Sequence, residues 1–206
     1  MEPAADRSKY PVAKRHLLAI VLTCLFVPPF AATESSRETP AVTRGTGENE
    51  SEANERALRR ELELFRDAPT PLLQAIAIVQ NLDSGSRIAD VAFDGGSGQP
   101  VYRVRAFQKD RLLEYTIDAR TGELSADTIT SALKELSAED RKNLMALRAV
   151  RQQLSEAVVV AERAASGKAI SGGLTHERGK LNFVIVVVSG DRLKQVMLEP
   201  PRIKRR

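Results

Sequence analysis

A chain of 206 residues has room for one ordinary domain or two small ones, each with a modest core, and not for a large enzyme fold. Charged residues make up 28% of it but nearly cancel at +4, which argues against the broad basic surface of a general nucleic-acid binder. With no Trp and only 4% aromatic residues, the core has to be built from Val, Ile, Leu and Ala.

Residues 1–32 place Arg7, Lys9, Lys14 and Arg15 ahead of the apolar run Leu17 to Val27, followed by Pro28, Pro29, Phe30, Ala31 and Ala32. That is the order of an export signal, and the run is shorter than the roughly 20 residues a spanning helix needs. Two outcomes stay open. Cleavage gives a periplasmic or secreted protein; retention of 1–32 leaves an inner-membrane anchor, with the membrane touched only through that segment, and makes the chain a structural or sensory ectodomain held at the membrane. The sole cysteine, Cys24, lies in this stretch, so the exported part is expected to hold together by packing alone.

Residues 33–57 are rich in Glu, Ser, Thr, Gly and Asn, a composition that predicts a disordered spacer. A short helix with Leu58, Leu62 and Phe65 on one face follows, ended by Pro69 and Pro71. Beyond it the chain repeats itself. Leu72, Ala75, Ile76, Val79 and Ile88 match Leu154, Ala157, Val158, Ala161 and Ile170 at a shift of 82 residues. At a shift of 81, Tyr102, Val104 and Ala106 match Phe183, Ile185 and Val187, and Asp110-Arg111-Leu112 recurs as Asp191-Arg192-Leu193.

Each copy predicts a helix and then three extended segments. The helix starts with Thr70 as N-cap and Pro71 in the first turn of copy one, and near Gln152 in copy two. The strands are joined by turns at Asp94–Gly98, His176–Lys180, Asp110 and Gly190-Asp191. Leu113, Tyr115 and Ile117 alternate with Glu114, Thr116 and Asp118, the pattern of a sheet with one buried face. The fold class is therefore α+β: two tandem units, 58–125 and 152–201, each a helix on a three-stranded antiparallel sheet. Residues 126–151 have helical spacing through Ile129, Leu133 and Leu136, then a Ser137 cap before Leu144, Leu147 and Val150, and read as a helical connector. A basic tail, 202–206, ends the sequence and reads as solvated.

The strand Val101-Tyr-Arg-Val-Arg105, and after a turn Leu113-Glu-Tyr-Thr-Ile-Asp118-Ala-Arg-Thr121-Gly122-Glu123-Leu124, resemble the PepSY family over about residues 70–125. Residues 152–200 look like a divergent second copy, in which Leu198-Glu199-Pro200-Pro201 replaces the Asp-x-x-Thr-Gly turn. Family members are similar to the propeptides of secreted metallopeptidases and to bacterial cell-envelope proteins. The resemblance implies a small domain that binds another exported or envelope protein, with restraint or inhibition of a peptidase as the commonly proposed activity.

The chemistry-bearing residues point away from catalysis. After residue 32 there is one histidine, His176, and no cysteine, so no catalytic residue, cofactor or zinc site is assigned. His176 reads as an exposed turn residue. Gly95, Gly96 and Gly98 lie between two strands and form a turn, not a phosphate loop. Asp118, Thr121 and Glu123 offer oxygen ligands to a hard cation, but the same spacing is ordinary turn construction, which is the reading adopted. The candidate partner-binding residues are Arg103 and Arg105, facing away from the core opposite Glu114 or Thr116, and Val184, Val186 and Val188. The three valines make the middle strand of copy two apolar on both faces, which calls for cover on both: the connector, the other repeat, or a partner protein. Internal cover is the expectation.

Overall fold

The computed structural model describes residues 47–96 and 98–201, so the expected export segment, residues 33–46 of the spacer and the basic tail lie outside the described residues. Helix α1 spans Gly47–Asp67 and α2 spans Leu72–Leu82. Strands β1 (Arg87–Asp94), β2 (Val101–Gln108) and β3 (Arg111–Asp118) follow, then a short β4 (Ile129–Ala132), a 3-10 turn and α3 (Ala138–Leu147). Copy two supplies α4 (Leu154–Ala165), β5 (Lys168–Glu177), β6 (Lys180–Ser189) and β7 (Arg192–Leu198).

The α+β class and the helix-then-three-strands order of each copy are as expected. The sheet is not two separate sheets. All seven strands form one, in the order β4-β3-β2-β1-β5-β6-β7. In a unit ordered 3-2-1 the first strand is an open edge, and pairing β1 with β5 closes both edges at once. The seam is narrow, with Val91 opposite Gly172 and Ala92 opposite Ser171. Each of its strands carries an irregularity at a matching place, between Ile88 and Asp90 in one and between Ala169 and Ser171 in the other. At such bulges a strand bends and twists away from its neighbour.

Both repeat helices lie on the same side of the sheet, each reaching across the seam to the other unit's first strand. Their small and β-branched residues, Ala75, Ile76 and Val79 in α2 and Ala157, Val158 and Ala161 in α4, are fully buried against Val91, Val104, Ile117, Phe183, Ile185 and Val187. Gly172 belongs to this close approach, because a Cβ there would stand 3.0 Å from Ile185 Cδ1.

Three expectations need correction. Composition assigned residues 47–57 to a disordered spacer, yet they are the first turns of α1; Glu52–Arg56 and Glu55–Arg59 pair at 3.1 and 3.5 Å one helical turn apart, a pattern that supports a helix without apolar residues. The connector is helical only from Ala138, and it is not continuous with α4. Residues 129–132 instead form β4 along the edge of β3, with Arg111 opposite Ala132 and Glu114 opposite Ile129. The Ser137 cap is as expected, its hydroxyl accepting from Asp140 N at 3.0 Å. Finally, the N-cap of α2 is Pro71, one residue later than expected, and Thr70 has another task.

Candidate functional site

The Asp118 to Glu123 segment is a clamp on the start of α2. Asp118 Oδ1 accepts from Arg120 N at 2.7 Å and Thr121 N at 2.9 Å, and these backbone bonds, Thr121 first, hold its carboxyl below the usual carboxylate value. Gly122 takes φ +74, and a Cβ there would sit 3.4 Å from Gln74 and 3.6 Å from Thr70. Thr70 N donates to Ala119 O, and the fully buried Tyr102 hydroxyl donates to Thr70 O at 2.8 Å. Strand, turn and helix start are thereby tied at one point. Asp118 Oδ1 is engaged by the backbone of the turn itself.

Copy two solves the same problem differently. The equivalent of Tyr102 is Phe183, which has no hydroxyl to give, and the equivalent of Thr70 is Gln152. Gln152 O accepts instead from Arg87 Nη2 at 2.8 Å, reaching in from the first strand of the other unit. The brace spans the two copies, which a reading of either alone could not reveal. Burial lowers the Arg87 pKa, with the charge of Glu156 opposing.

Arg103 and Arg105 lie on the face opposite α2 and α4, and carboxylates hold both. Arg103 reaches Asp94 at 2.8 Å and Glu114 at 3.7 Å; Arg105 reaches Asp90 at 3.3 Å. The register sets Arg105 against Glu114 and Arg103 against Thr116 on β3, but the nearer carboxylates, Asp94 and Asp90, come from β1, the hairpin neighbour on the other side. Desolvation raises the Asp90 pKa against the pull of Arg105, with Glu114 and Asp140 adding to the rise. Burial pulls Arg105 down, and Asp90, Asp140 and Glu114 outweigh it to leave the group above its ordinary value. The directions have different first causes: burial dominates at Asp90, whereas the surrounding carboxylates win over burial at Arg105.

On the same face of copy two, Val188 is buried, while Val184 and Val186 are half-exposed. Val184 lies between Gly173 and Met197, and Val186 between Ser171 and Gln195. Helix α3 packs against β1, β5 and β6, so the connector does reach this unit. Of the three valines only Val188 is buried, which removes it from the candidate docking residues. Met197, beside Val184, is 41% exposed. His176 is not in a turn. It lies in β5 with its Nδ1 against Asn143 Oδ1 of α3, and the turn itself is Arg178-Gly179, both at positive φ. The ring ties α3 to the sheet. Among the described residues no group of three or more His, Cys, Asp or Glu side chains is arranged to hold a metal ion.

Residues 71–128 match the family model described as "Peptidase propeptide and YPEB domain". This segment is a PepSY domain. It takes in α2 and the Asp118 to Glu123 turn, starts one residue after Thr70 and ends just before β4. The chain is also similar to a crystal structure from Clostridium difficile 630 described as a candidate lipoprotein, at 17% identity and a TM-score of 0.37, over 65% of this chain and 88% of that one. No curated protein matches the chain. No helix among the described residues is long and apolar enough to cross a membrane.

The PepSY domain's outer strand, β3, is closed on its far side by β4 and by a bridge from Ile117 to Leu124. Its counterpart β7 has no strand on its far side among the described residues, and every one of its residues is exposed or half-exposed.

Proposed function

We propose that this is a non-enzymatic, exported PepSY-type protein that works by binding another envelope protein, with restraint of a peptidase as its activity. The order of charge and apolar residues in 1–32 supports export, and the PepSY match supports a propeptide-like or regulatory task over catalysis. The reading assigns no catalytic residue, cofactor or metal.

The observation that carries a docking role is the half-exposed stripe of Val184 and Val186 next to the exposed Met197. A β-branched stripe on a well-ordered central strand loses little conformational entropy when a partner covers it. Arg103 and Arg105, engaged by Asp90, Asp94 and Glu114, are assigned to the rim of this surface and not to its centre.

The test is co-purification from an envelope extract with the full chain as bait, beside a Val184→Lys, Val186→Lys variant whose fold is verified by circular dichroism. The reading expects the wild type to capture a protein that the folded variant loses. Capture of the same protein by both chains refutes the assignment of this face.

A further inference from the structure

The two copies differ at one edge. In the PepSY domain, β4 runs antiparallel to β3 from Arg111 to Glu114 and satisfies its outer backbone groups there. In copy two the sequence passes from Leu198 into Glu199-Pro200-Pro201, and among the described residues nothing pairs with the outer side of β7. Half of the backbone N–H and C=O groups of β7 therefore point outward in the spacing of an antiparallel or parallel ladder. Such a row is a template for another strand.

We propose that β7 takes an extended, acidic segment of the partner protein as an eighth strand, laid beside the Val184–Val186 face. This deepens the docking reading above and rests on it. Charge selects the occupant. The carboxylates bordering the edge are already engaged: Asp191 by Arg66 at 3.0 Å and Glu199 by Lys180 at 2.9 Å. Arg192 and Lys194, both exposed, have no carboxylate partner among the described residues, Lys194 donating only to Ala165 O. An edge of this sign disfavours a second copy of the same edge, because pairing two of them brings like charges across a ladder, and it favours a strand carrying Asp or Glu. Side chains of the added strand alternate between the two faces, so its apolar residues would continue the surface that begins at Met197 and Val184.

The test uses the full chain and fluorescein-labelled peptides of β7's length. One alternates Glu and Val, one alternates Lys and Val, and one is the Glu peptide N-methylated on alternate residues. The proposal expects the Glu peptide to bind, the Lys and N-methylated peptides to bind at least about tenfold more weakly, and amide exchange to slow in residues 192–198. An Arg192→Glu, Gln195→Glu variant, both positions exposed, should keep its circular dichroism spectrum and lose the preference for the Glu peptide by about tenfold. Protection that falls at β4, equal binding of all three peptides, or concentration-dependent self-association through β7 overturns the proposal. If no peptide binds while the co-purification still depends on Val184 and Val186, the edge assignment fails and the docking reading stands.

Discussion

Replacing Tyr102 with Phe removes one oxygen from the centre of the PepSY clamp and leaves its packing in place. The hydroxyl is fully buried and donates to Thr70 O at 2.8 Å, and Thr70 N in turn donates to Ala119 O of the Asp118 turn. Loss of an average internal hydrogen bond costs about 1 kcal/mol, and a buried acceptor left without a partner raises this toward about 2 kcal/mol. Urea unfolding followed by far-UV circular dichroism should therefore show a midpoint lower by about 0.5–1 M with an unchanged slope. The thermal midpoint should fall by roughly 2–4 °C per kcal/mol at this chain length. The reciprocal change, Phe183→Tyr, should give no gain, because the carbonyl in the equivalent place, Gln152 O, already accepts from Arg87. A midpoint for Tyr102→Phe within about 0.2 M of wild type would refute the clamp, since it would mean that the turn, the strand and the helix start are not coupled through this bond.

Arg87→Met should cost about 1.5–3 kcal/mol in the same titration, because it removes a charge-assisted bond while keeping an apolar stem, and an unchanged midpoint would rule out the brace between copies. Ile185→Ala deletes a fully buried side chain under α4 and should cost about 2–5 kcal/mol, read from the urea midpoint. Gly167→Ala should fold poorly or aggregate, because its Cβ would overlap Val188 O and stand 2.8 Å from Val187 Cγ1; a soluble variant of wild-type midpoint contradicts that contact. The Asp118 carboxyl is held below its ordinary value in the folded chain, so its stabilisation is present above that ordinary value, near 3.8, and is lost as pH falls through the folded pKa. Wild type should therefore be the more stable chain at pH 5 and above, and the gap to Asp118→Asn should close on acidification; a gap that does not change with pH argues against the turn as its source.

The sequence made the units legible because their signals are local and repeated. The matches of Leu72, Ala75, Ile76 and Val79 with Leu154, Ala157, Val158 and Ala161 locate both helices to within a residue or two, and the alternation after Leu113 identifies a one-sided strand. What joins the units was not legible. The β1–β5 seam rests on short, small residues, Ala92, Ser171 and Gly172, that carry no pairing signal of their own. Residues 129–132 read as helix because Ile129, Leu133 and Leu136 have helical spacing, yet the open edge of β3 recruits them as a strand, a tertiary effect outside any local window. At the candidate site, the alternation puts Arg103 and Arg105 on the outer face, but their partners Asp90 and Asp94 depend on the register of β1, which shifts between Ile88 and Asp90, and the brace from Arg87 follows from the seam. His176 misread as a turn residue because the hairpin is tighter than its composition suggests, with Arg178 and Gly179 alone making the bend.

The most direct test of the account is amide hydrogen exchange of the full chain, alone and with the protein it captures. The account predicts that protection gained on binding is concentrated in residues 171–173, 184–186 and 192–198, the outer face and open edge of copy two. Protection gained instead over α2 and the Asp118 to Glu123 turn would contradict it, because the PepSY clamp would then be the binding surface and the second copy its support.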